Sequence, residues 1–275
     1  MQSIVAHALA TCAYGRAALM TKGHVPIPET LDAPPYIKSI VFNHLFQQGE
    51  NIQRDTVARS VVDWIGFLRS TGHFKINIYR LPAIHPLPDW QTAGFVGGGG
   101  RWLLSAVSQA GTDYWESNWT FEESGREQSG VWTVEYARVT RLDQGKPPAT
   151  ISLSDSESAL NEAVKAALKF IQGKSMPLYE KIFRTCLDLL SGKQPVPQTL
   201  IAGAPMPNRA RRIAGAAEHA WVFGGMGSWN DQGFDGADQD AYERISNELY
   251  LSVTHSLVSA ANSAGQKDWF SILRR

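Results

Sequence analysis

Apolar positions recur at helical spacing towards both ends of the chain and with a two-residue period in its middle. Ile4, Val5, Ala8, Leu9, Cys12 and Ala13 predict a helix over residues 3–20. Residues 23–35 carry four prolines and read as an irregular connection. Residues 36–48 predict a short helix. A longer one is predicted over residues 55–70, where Val57, Val61, Trp64, Ile65 and Leu68 form one stripe. Asp55 can cap its start and Gly72 can end it.

The period then changes. Residues 74–80 alternate and are rich in β-formers, and the following loop holds Pro82, Pro86, Pro88 and four successive glycines, Gly97, Gly98, Gly99 and Gly100. Three more strands are predicted, over residues 101–109, 113–123 and 131–142. In the second, Trp115, Ser117, Trp119 and Phe121 share one face, against Tyr114, Glu116, Asn118 and Thr120. In the third, Trp132, Val134 and Tyr136 oppose Thr133, Glu135 and Ala137. Such alternation predicts an antiparallel sheet with one buried face. The connections of three and seven residues suit hairpins.

Beyond Lys146, Pro147 and Pro148 the helical period returns. Ser154, Asp155, Ser156 and Glu157 read as a capping box opening a helix to about residue 172. Ser175 caps a second helix, with Pro177 in its first turn and Gly192 past its end. After a proline-broken linker over residues 194–207, Asn208 caps a third, expected to end near Phe223 with Gly224 as terminator. The last helix, residues 238–263, presents Tyr242, Ile245, Leu249, Val253 and Leu257 on one stripe.

Helices, then strands, then helices, without βαβ alternation, predict an α+β fold. An antiparallel sheet in the middle of the chain is expected to pack against N- and C-terminal helices. The expected organisation is a single α+β domain over residues 1–275. The alternative divides it into a helix-plus-sheet part, 1–148, and a helical part, 149–275.

Charge narrows the function classes. Residues 1–150 and 151–275 each carry 13 basic and 13 acidic side chains, so neither half has the footprint of a general nucleic-acid binder. The segment from Ile4 to Met20 is interrupted by His7, Thr11 and Arg16, and no run of eighteen apolar residues occurs. Neither a signal peptide nor a membrane span is expected. Cys12 and Cys186 fall in apolar helical segments without metal-ligand spacing. They read as buried free thiols, which suits a cytoplasmic protein.

The segment most suggestive of function spans residues 220–231, with three glycines, two tryptophans, and Asn230 beside Asp231. His219 lies just before it, and the two could form an acid–base pair if the loop folds back. Arg209, Arg211 and Arg212 sit in the first turn of their predicted helix, the end where cations are disfavoured. An internal salt-bridge network with the acidic segment Asp231, Asp235, Asp238 and Asp240 is one compensation. An external anion or partner is another. That acidic segment fails as a calcium loop, because position twelve from Asp231 is Tyr242. The glycine run 97–100 precedes a strand rather than a helix, which argues for a flexible connection or a close backbone approach over phosphate binding. No motif calls for a cofactor or a metal.

Two functions fit these observations. One is a soluble intracellular protein-binding module, such as an inhibitor or immunity-type protein, with Arg209, Arg211, Arg212, Trp229 and Asn230 as binding residues and a protein as partner. The other is a hydrolase-type enzyme with His219 and Asp231 as catalytic residues, in an acid–base or metal-assisted site.

Overall fold

The computed structural model describes residues 3–21, 24–48, 51–84, 86–122, 131–142 and 148–266. The expected break at Lys146 and Pro147, the connection between the second and third of the later strands, and His85 lie outside the described residues.

The fold is α+β. The chain begins with α1 (Ser3–Met20) and a single turn, α2 (Glu29–Asp32). The hairpin β1 (Ile37–Gln48) and β2 (Asn51–Ala58) and the helix α3 (Val61–Ser70) follow. Four strands then run β3 (His73–Pro82), β4 (Gly100–Ser108), β5 (Gly111–Glu122) and β6 (Val131–Leu142). The chain continues through α4 (Leu153–Phe170), α5 (Pro177–Leu190), α6 (Asn208–His219) and α7 (Ala237–Ala261). The six strands make one sheet in the order β2-β1-β6-β5-β4-β3. All neighbours are antiparallel except β1 and β6. The meander β3 to β6 thus closes by laying its last strand beside the first hairpin.

Two expectations fail at that hairpin. Residues 36–48 form a strand, not a helix, and the predicted helix over 55–70 begins only at Val61. In β1, Ile40 and Phe42 enter the core on a two-residue period while the strand is paired on both edges. Non-local pairing outweighed a weak local period. Ser60, not Asp55, caps α3, its hydroxyl accepting the Asp63 N–H at 3.0 Å. Val61, Trp64, Ile65 and Leu68 are buried as their stripe predicts.

Other helix ends shift by a few residues. Ser152, not Ser154, caps α4 by accepting from the Asp155 N–H at 3.1 Å. Met176, not Ser175, precedes α5 and makes no side-chain cap. Asn208 is the first residue of α6, and that helix stops at His219 rather than near Phe223.

The helices lie mainly on one face. α1 rests on β3 and β4, α3 lies over the sheet near β2 and β3, and α7 touches both α1 and β3. α4 and α6 pack on α7, and α5 packs on α4 and α6. α1 is therefore enclosed nearly all round, as its continuous apolar character requires. Its one buried cation, Arg16, donates to the carbonyls of Ala264 and Ile76 at 3.1 and 2.8 Å and to Asn77 Oδ1 at 2.7 Å. Trp115 enters the main core, while its neighbour Tyr114 packs with Tyr79 and Leu103 on the reverse face. Buried side chains from both sides of residue 150 belong to one hydrophobic cluster.

Gly66 lies inside α3, yet a Cβ there would meet no atom within 4 Å. Nothing in packing calls for glycine. Gly66→Ala is therefore expected to stabilise the protein by about 0.5–1 kcal/mol through helix propensity. The gain should appear as a higher urea midpoint with an unchanged denaturant slope.

Candidate functional site: two loops locked together

The segment after α6 is held by its own side chains. The Asn230 amide spans the Gly224 peptide: Oδ1 accepts the Gly224 N–H at 2.9 Å, and Nδ2 donates to the Gly224 carbonyl at 3.2 Å. Ser228 Oγ donates to Asn230 Oδ1 at 2.5 Å, and Asp231 accepts the Gly227 N–H at 2.6 Å. A single 3-10 turn over Trp229–Asp231 then points the Trp229 indole inward. Its ring centroid stands 5.1 Å from Tyr179, 5.4 Å from Phe183 and 5.7 Å from Tyr242. Its Nε1 donates to Ser246 Oγ at 2.8 Å, and the Tyr242 hydroxyl donates to its carbonyl. Trp229 is thus fully buried, which removes it from any contact surface.

The second loop joins β3 to β4. Trp90 is buried against Tyr242, and Arg80, itself buried, is paired with Asp89. The glycine run is filled by its own chain. A Cβ on Gly98 would lie 2.4 Å from Val5 Cγ2, and one on Gly99 would lie 2.0 Å from the Asp89 carbonyl oxygen. Both residues also have positive φ. The Gly98 carbonyl accepts from the Tyr250 hydroxyl at 2.6 Å. Close backbone approach accounts for these glycines.

The two loops meet backbone to backbone. A Cβ on Gly94 would stand 1.9 Å from the Gly224 carbonyl oxygen, and Asn230 Nδ2 reaches the Gln91 carbonyl at 3.4 Å. On this joined scaffold Ile84, Leu87, Phe95, Val96 and Met226 are all exposed, Phe95 by 70% and Met226 completely. Phe95 and Val96 border a shallow hollow of about 250 Å3. Sequence reasoning missed these five residues. The available signal was a set of large apolar side chains inside a proline- and glycine-rich loop.

The residues singled out from the sequence are dispersed. No hydrogen bond or ion pair joins His219 to Asp231 among the described residues. His219 is half-buried at the end of α6, and burial lowers its pKa. The loop does not fold back on the arginines. Arg209 pairs instead with Glu157 of α4, Nε and Nη2 lying 2.7 and 2.5 Å from Oε2. Arg211 donates to the Ala202 carbonyl at 3.1 Å. Arg212 has a buried Nε without a hydrogen-bond partner among the described residues. Asp238 pairs with Lys174 at 2.5 Å rather than with an arginine. The internal ion pair expected at the start of α6 therefore exists for Arg209, with a different acid.

Two further ionisable groups were not legible. Burial pushes the Glu218 carboxyl up to about 7, against the lowering effect of the Thr199 hydroxyl that donates to it. At the far end of α3, His73 Nε2 stands 3.3 Å from Asp113 Oδ2, with Arg138 Nη1 3.6 Å from the same oxygen. Thr71 Oγ1 lies 2.9 Å from His73 Nδ1, but its hydroxyl also donates to the Phe67 carbonyl at 2.8 Å. Burial raises both thiols, Cys12 and Cys186, to about 12, so they stay protonated.

Among the described residues, no three histidine, cysteine, aspartate or glutamate side chains stand together as a metal site would require. No helix among them is long and apolar enough to cross a membrane. No family model, no curated protein and no solved structure matches this chain.

Proposed function

We propose that this chain works by surface contact with another protein, in the manner of an inhibitor or immunity-type protein, and that the joined loops carry the contact. One observation supports the reading: five exposed large apolar side chains sit on two loops locked to each other by glycine contacts and by Asn230. Exposed apolar clusters mark interaction sites, and aromatic and methionine side chains are enriched in them. A scaffold ordered before binding loses little entropy on association. Protonated buried thiols suit the reducing cytoplasm as the compartment. The binding residues shift accordingly, from Trp229 and the α6 arginines to Phe95 and Met226.

The test is a photo-crosslinking side chain placed in turn at positions 95, 226 and 74 in the native cell. Phe74 is exposed on β3, outside both loops, and serves as the control. A discrete protein adduct is expected from 95 and 226 but not from 74. Phe95→Asp should weaken binding to the captured protein at least tenfold, about 1.4 kcal/mol. Equal adducts from all three positions, or an adduct from 226 unaffected by Phe95→Asp, would overturn the assignment.

A further inference from the structure

A cavity of about 880 Å3 opens between the end of α1, the segment at residues 24–27 and α3. That volume falls in the range of sites that take small ligands. Ala18, Val25, Ile27 and Ile65 form an apolar wall. Gly66 completes it as a gap in α3, since a Cβ there would meet nothing within 4 Å. Neither packing nor a positive φ accounts for this glycine. Gly66 is itself exposed, so the cavity stands open along the middle of the helix.

Among the described residues, Arg69 and His24 are the ionisable residues of the wall, and no acid lines it. Arg69 Nη2 donates to the Ala18 carbonyl at 2.8 Å, which holds the guanidinium at the C-terminal end of α1. Its Nε and Nη1 have no partner among the described residues. A carboxylate can take two donors of such a fork. An apolar trough ending at a guanidinium tethered to the Ala18 carbonyl matches a molecule with an alkyl chain and a single anionic head.

We infer that this cavity is a binding site for a linear amphiphilic monocarboxylate, the alkyl chain lying along Ile27, Ile65 and Gly66 and the carboxylate meeting Arg69. The site is separate from the joined loops and does not depend on the protein-binding reading.

Calorimetric titration of the full chain with dodecanoate, below its micelle concentration, tests the assignment. Saturable one-to-one binding is expected. Arg69→Met should weaken it at least tenfold, and Gly66→Leu should abolish it by filling the trough. Dodecyltrimethylammonium, with the opposite head charge, should bind at least tenfold more weakly than dodecanoate. Circular dichroism and the urea midpoint establish that each variant folds. Should Gly66→Leu fail to fold, Ile27→Trp narrows the same trough from the opposite wall and should weaken binding at least tenfold. Absence of saturable binding overturns the assignment. So does equal affinity for the cationic amphiphile, or affinity unchanged by Arg69→Met and by a folded trough-filling variant.

Discussion

Replacing Trp229 with alanine is expected to cost about 3–5 kcal/mol of stability. The indole is fully buried among Tyr179, Phe183 and Tyr242, so its removal forfeits apolar burial and leaves a cavity. It also strips Ser246, itself buried, of the N–H that its hydroxyl accepts at 2.8 Å. Domains are stable by only about 5–15 kcal/mol, so the variant should sit close to unfolding at room temperature. Trp229→Phe keeps a ring in the site but loses the N–H, and a smaller cost of about 1–3 kcal/mol is expected. Urea unfolding of both variants provides the measurement. An alanine variant within 1 kcal/mol of the parent would mean that this turn is not anchored by its tryptophan. The same substitution bears on binding, because the Trp229 turn carries Asn230 and so fixes one loop against the other. Partner adducts from position 226 should fade in Trp229→Ala under conditions where the protein is still folded.

The second large effect is on the dependence of stability on pH, where two buried groups oppose each other. The Glu218 carboxyl is raised from 4.5 to about 7 by burial. Below pH 4.5 it is protonated in both the folded and unfolded chain. As pH rises through 7 the unfolded chain releases its proton first, and stability falls. The His7 imidazole is lowered from 6.5 to about 4 by burial, with the Leu31 carbonyl partly offsetting the effect. Above pH 6.5 it is neutral in both states. As pH falls from 6.5 towards 4 the unfolded chain takes up a proton that the folded chain refuses, and stability falls in that direction. Each shift corresponds to about 3 kcal/mol at full extent. Between pH 4.5 and 6.5 the two contributions run against each other and largely cancel.

Glu218→Gln separates them. The amide keeps an acceptor for the Thr199 hydroxyl and carries no charge. The variant should be more stable than the parent by up to about 3 kcal/mol at pH 8 and equal to it at pH 4. Its own stability should then drop between pH 6.5 and 4, revealing the His7 contribution. Chemical denaturation at intervals of one pH unit supplies both curves. Parallel curves for parent and variant would show that Glu218 ionises normally in the folded protein.

Much of the architecture was legible along the chain. The stripes of α3 and α7, the enclosed α1 and the alternating strands β3 to β6 each carry their period within one segment. β1 and β2 were not legible. Residues 36–48 lack a decisive local period, and their partners in β6 stand some ninety residues away. The candidate site was legible only as a place. A tryptophan in a glycine-rich turn reads the same whether it plugs a core or anchors a partner, and Trp229 proved to be a plug. The arginines of α6 signalled a missing counter-charge. Glu157, the acid that meets Arg209, lies on α4, 52 residues earlier.

The sequence by itself determined the α+β class and the order of most elements, because periodicity and turn chemistry are local. The tertiary structure alone decided which apolar side chains stay in water, which acid meets which base, and that Glu218 and His7 are desolvated. Burial and Coulomb energy depend on neighbours in space, and Gly94 against Gly224 brings together segments 130 residues apart.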